Sequence, residues 1–127
     1  MLPLISGETE LTMNFEAWVT PHLKNGKDYI AYNFNLYELD EDYFGAELVA
    51  STAYDPDDDD WACETVFSSG DELFEFESKN WETAQKEFIA MVCALIEKEG
   101  ISVFGDKVEF LTAGFIDGAL EVIYTKN

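Results

Sequence analysis

Residues 27–39 read KDYIAYNFNLYEL. Ile30, Tyr32, Phe34 and Leu36 fall on one side of a two-residue repeat; Ala31, Asn33, Asn35 and Tyr37 fall on the other. Alternation of aromatic and β-branched residues at this period predicts a strand over about 28–38. The next stretch, DEDYFG, reads as a turn, and AELVASTAY predicts a second strand over about 46–54, so the two form an antiparallel hairpin. This hairpin excludes an all-helical fold.

Working outward, SKNWETAQKEFIAMVCALIEKEG (78–100) carries Trp81, Ala84, Phe88, Met91, Val92, Leu95 and Ile96 at helical spacing. Ser78 or Asn80 can cap its start and Gly100 can stop it, which predicts a helix over about 79–99. Cys93 lies beside the apolar stripe and reads as a small core hydrophobe. Near the C-terminus, KVEFLTAGFIDGALEVIYTK holds two apolar runs around Asp117-Gly118. Asp-Gly at that place predicts a type I′ hairpin with strands at about 108–116 and 119–125. CETVF (63–67) can add a short third or edge strand. ELTMNFEAWVTPHLK sets Leu11, Phe15, Trp18 and Leu23 near helical spacing, so a short helix is expected over about 11–20, with Pro21 interrupting it and a strand as the alternative. The expected fold is α+β: an antiparallel sheet of four to five strands, one long helix on one face and a short N-terminal helix. The 127 residues suit a single domain, with residues 1–10 weakly patterned.

The charge is extreme. There are 27 acidic residues against seven lysines and no arginine, a net charge of −20. With 47% apolar and 15% aromatic residues, the chain can still bury a core, which separates it from disordered polyanions. Direct binding of nucleic acid or phospholipid is disfavoured, because phosphate contacts need Lys and Arg in number. Sixteen of the acids lie between Asp28 and Ser78, where there is no basic residue. Solubility or a salt-loving host is the plain reading of the charge and a basic partner the sharper one; uniform solubilisation does not require that asymmetry. The absence of a basic, apolar leader and two well-separated cysteines, Cys63 and Cys93, lead to the expectation of a cytoplasmic protein with free thiols.

Signatures of chemistry fail one by one. Asp55, Asp57 and Asp59 match the first acids of a calcium loop, but Asp60 stands where the turn glycine belongs and Val66 where the bidentate glutamate belongs. His22, the single histidine, has no sequence tie to a nucleophile, and Cys63 sits in an acidic field that disfavours a thiolate. Carboxylate pairs carry no weight among so many acids. No Gly-rich phosphate loop and no zinc-ligand spacing occur. No catalytic residue, metal or cofactor is therefore expected.

An interaction surface remains. Aromatic residues interleave with the acids: Tyr37, Tyr43, Phe44, Tyr54 and Trp61. Of these, Tyr37 lies on the strand face opposite the apolar set. A few aromatic anchors within a steering field suit a heteromeric interface. The candidate partner-binding residues are Asp55, Asp57, Asp58, Asp59, Asp60 and Trp61, with Tyr37, Glu38, Asp40 and Asp42. The hairpin geometry sets the 39–45 turn and the aspartate loop at opposite ends of the strands, so two acidic poles are expected, and the denser aspartate loop is favoured.

The strings YIAYNFNLYE (29–38), DDDDWACETVF (57–67) and AGFIDGALEVIY (113–124) resemble stretches of immunity proteins from bacterial polymorphic and contact-dependent growth-inhibition toxin systems. That resemblance implies one-to-one binding of a cognate toxin domain, often a basic nuclease, whose active site or groove is blocked. Two alternatives stand beside it. One is an acidic adaptor or nucleic-acid mimic that sequesters a basic host protein. The other is an enzyme with an unrecognised carboxylate site.

Overall fold

The computed structural model describes residues 10–23, 29–58, 61–62, 66–116 and 118–126. Helix α1 (Glu10–Leu23) leads into strands β1 (Ala31–Asp40), β2 (Tyr43–Ser51), β3 (Phe67–Ser68) and β4 (Phe74–Glu77). Helix α2 (Trp81–Glu99), a 3₁₀ turn (Ile101–Phe104) and strands β5 (Phe110–Phe115) and β6 (Glu121–Thr125) complete the chain. The fold is α+β, with a mostly antiparallel sheet of six strands.

The alternation of residues 30–37 produces β1, which occupies the middle of the sheet. It pairs antiparallel with β2, Phe34 opposite Leu48, and parallel with β5, Phe34 opposite Ala113. The parallel pair departs from the wholly antiparallel expectation. It arises because the chain crosses over through α2 before it returns to the sheet. β6 forms one edge beyond β5, while β3 and β4 divide the outer edge of β2 between them. The first hairpin turns more tightly than DEDYFG suggested: only Glu41 and Asp42 lie between paired Asp40 and Tyr43. Asp42 takes φ of 60°, a left-handed conformation that aspartate tolerates. The turn type expected for Asp117-Gly118 lies outside the described residues.

Both helices contribute to the face carrying Tyr32, Phe34 and Leu36. Phe88 of α2 lies 5.0 Å, centroid to centroid, from Phe34 and 5.3 Å from Phe15 of α1, and all three rings are fully buried. Asn80 caps α2 by accepting the Thr83 N–H at 2.8 Å. Gly100 ends the helix with φ of 86°, its N–H bonded to the Ile96 carbonyl. α1 continues through Pro21, which stands late enough to cost one backbone bond in the final turn. His22 is a satisfied residue at the end of α1: its Nε2 lies 3.3 Å from Glu72 Oε1, and its ring lies near Trp18. Among the described residues no helix is long and apolar enough to cross a membrane.

Candidate functional site

The second sheet face is not a simple solvated surface. Ala31 and Asn33 are fully buried on it, and Thr112 nearly so. A hydrogen-bonded chain crosses this face. Thr112 donates its hydroxyl to Asn33 Oδ1 at 2.9 Å, and Asn33 Nδ2 donates to Asn35 Oδ1 at 2.7 Å. Asn35 Nδ2 then reaches Glu47 Oε1 at 3.3 Å. The same carboxylate accepts from Tyr37 at 2.8 Å and, through Oε2, from Ser68 at 2.5 Å. Three donors from β1 and β3 thus fix Glu47 in one orientation on β2. The sequence reading missed this network because Asn33, Asn35, Glu47 and Thr112 meet only through strand register.

Tyr37 is half-buried within this network. Burial, its hydrogen bond to Glu47 and the charge of that carboxylate push its phenol up to about 12 from 10.0. The folded chain therefore holds the Tyr37 proton more tightly than the unfolded chain. The stabilisation is complete below pH 10 and is lost as pH rises towards 12. Tyr37→Phe should remove a late-titrating component of the tyrosinate absorbance and flatten that part of the stability profile. A wild-type profile identical to that of Tyr37→Phe would contradict the geometry.

The aspartate loop is organised locally. Asp55 accepts the Asp57 N–H on its side chain at 2.9 Å and the Asp58 N–H on its carbonyl at 3.2 Å, with Pro56 between them. This is an Asx-type turn, and Asp55, Asp57 and Asp58 are exposed. Asp59 and Asp60, both expected at the interface, lie outside the described residues, as does Cys63. Trp61, expected to tie the loop to the core or to the partner, is buried at 7% exposure and packs 5.8 Å from Phe110, beside Tyr54, which stacks on Phe110 at 4.7 Å. Two aromatic residues bracketing the loop fold down onto the second sheet face, so Trp61 ties the loop to the core. Among the described residues no group of three potential ligands could hold a metal ion.

The other acidic pole lies at the far end of the β1–β2 hairpin. Glu38, Asp40, Glu41 and Asp42 are all exposed there. Phe44, expected among the interfacial aromatics, is buried at 1% because its side of β2 faces the helices. Tyr43 is partly exposed and donates to Glu75 at 2.6 Å. Two residues read as core prove to be surface residues. Cys93 is exposed, its thiol pushed up by partial burial and then by the Glu97 charge. Trp81 opens α2 at 55% exposure, its ring 6.0 Å from that of Phe115. The helical period placed Trp81 on the side of Phe88; Ala84 in the same turn is fully buried, whereas Trp81 meets only the edge of the core, at Phe115.

Trp81 borders a cleft of about 470 Å³ lined also by Tyr37, Glu38, Phe115 and Ile116. A second hollow of about 440 Å³ adjoins it across Tyr37 and Glu38 and includes Leu39, Glu47 and Asp71. The connection after β5 shapes the first cleft. A Cβ at Gly114 would come within 2.6 Å of the Ala119 carbonyl oxygen, so the glycine lets that segment lie against β5. The Ile116 N–H, bonded to the Leu36 carbonyl at 3.3 Å, ties the segment to β1. The structure thus separates the two acidic poles. It joins Tyr37 and Glu38 to apolar groups, and leaves Asp55, Asp57 and Asp58 at the opposite end.

No protein-family model matches the chain, and no curated protein or solved structure is significantly similar to it.

Proposed function

We propose that this protein is a cytoplasmic immunity protein that binds a cognate toxin domain, a basic nuclease, one-to-one, and covers its active site or substrate groove with an acidic surface. The observation that carries this reading is the mounting of exposed carboxylates at both ends of a rigid central hairpin in a chain of net charge −20. Such a field raises the rate of encounter with a cationic groove and repels nucleic acid from the protein itself. The packed sheet holds the charges in place before contact, which limits the ordering cost of association.

The test is calorimetric titration into the toxin domain encoded immediately upstream, at low and high salt. Nanomolar one-to-one binding whose affinity falls with added salt is the expected result. Failure to bind that domain at either salt concentration would sink the immunity reading and favour an adaptor for a basic host protein.

A further inference from the structure

The two acidic poles differ in one respect that matters for binding. At the aspartate loop the neighbouring aromatics are committed inward: Trp61 is buried and Tyr54 is stacked on Phe110. Among the described residues, that pole offers charge and the small apolar Val66, but no exposed aromatic anchor. At the hairpin pole, Trp81, Ile116 and Leu39 are 55%, 59% and 42% exposed, and a cleft opens between the first two. Its rim carries Glu38, and the adjoining hollow carries Glu47 and Asp71. Interfaces draw most of their energy from a few large side chains seated in desolvated pockets, while the surrounding charge sets partner and orientation. Among the described residues, the hairpin pole brings both parts together.

We propose that the cleft between Trp81 and Ile116 seats an apolar side chain of a basic partner protein, and that lysines or arginines flanking that side chain meet Glu38, Asp40 and the fixed carboxylate of Glu47. The identification of the partner as a toxin domain rests on the reading above; the cleft and its preference for a basic segment do not. Asn35 and Tyr37 fill Glu47 Oε1 and Ser68 takes one position on Oε2, so Glu47 has one oriented acceptor position left for a single N–H of a flanking cation. A second copy of the chain is a poor occupant, since a two-fold contact here would set Glu38 and Asp40–Asp42 against their own like charges. Nucleic acid is repelled by the same groups.

The test compares variants at the two poles by calorimetry with the upstream-encoded toxin domain. Trp81→Ala and Ile116→Ser change exposed side chains, and unchanged circular dichroism will show that the fold is kept. Each should weaken binding by about thirtyfold or more, the scale of a central anchor. Glu38→Lys should weaken binding further, and more at low salt than at high salt. The triple change Asp55→Asn, Asp57→Asn and Asp58→Asn should cost only a few-fold, through slower encounter. Toxin binding that ignores the cleft variants and collapses with the aspartate changes overturns the proposal and leaves the immunity function standing. If the toxin domain does not bind at all, a lysine- and arginine-rich heptapeptide with a central leucine is the probe, followed by amide and indole NMR shifts. Shifts centred on Trp81 and Ile116, weakened about tenfold when the leucine is replaced by serine, uphold the cleft. Shifts spread over both poles, insensitive to that replacement, overturn it, as does concentration-dependent dimerisation through Trp81.

Discussion

Phe88→Ala is expected to lower the stability of the fold by roughly 3–5 kcal/mol, the usual loss for a phenylalanine in a packed core. The ring is fully buried and meets Phe34 at 5.0 Å, Phe15 at 5.3 Å and Phe76 at 6.0 Å. It is the point where α1, α2 and the sheet meet, so its removal leaves a void that none of the three can close alone. Domains of this size hold about 5–15 kcal/mol in all, and the loss would consume a large part of that margin. Denaturant melts should show the midpoint falling sharply with the slope preserved. A loss below about 1 kcal/mol would mean that the helices do not pack on the sheet as described.

The second large effect lies on the opposite face. Asn33→Ala should cost about 1–3 kcal/mol, although it removes few apolar contacts. The cost comes from what it strands: the buried Thr112 hydroxyl loses its acceptor and Asn35 Oδ1 loses its donor. Replacing both buried partners, as in Asn33→Leu with Thr112→Val, should be markedly less harmful than adding the separate losses would suggest. Chemical denaturation of the two single variants and the double variant measures this coupling. Strict additivity would show that the chain of hydrogen bonds contributes nothing as a unit.

Much of the architecture can be read from local pattern. The alternation of 30–37 yields β1, Asn80 and Gly100 bound α2, and the apolar runs around residues 117–118 yield β5 and β6. Pattern also gave the two hairpin pairings, β1 with β2 and β5 with β6; what it could not supply is how the hairpins join. Parallel pairing of β1 with β5 joins segments far apart in sequence, and no turn residue signals it. β4 was hidden because its alternation, Phe-Glu-Phe-Glu, lies inside an acidic stretch. The site was legible in its charges and obscure in its apolar parts. Acids surround both Phe44 and Trp61, yet one faces the helices and the other folds over Phe110. Trp81, on the apolar stripe of α2, is the exposed aromatic. Burial of an aromatic depends on which element lies opposite, and that is settled only in three dimensions.

The central place of β1 bears on how the chain reaches its native state. The hairpin and β4 can assemble from sequence neighbours, whereas Ala31–Leu36 must wait for Phe110–Phe115 to cover their second edge. During synthesis that edge stays open until Phe110–Phe115, some eighty residues later, has left the ribosome. Contacts of such long sequence separation slow folding, and an open hydrogen-bonding edge invites association with other chains. The dense negative charge beside it then has a second use: nascent copies repel one another for as long as the sheet is incomplete.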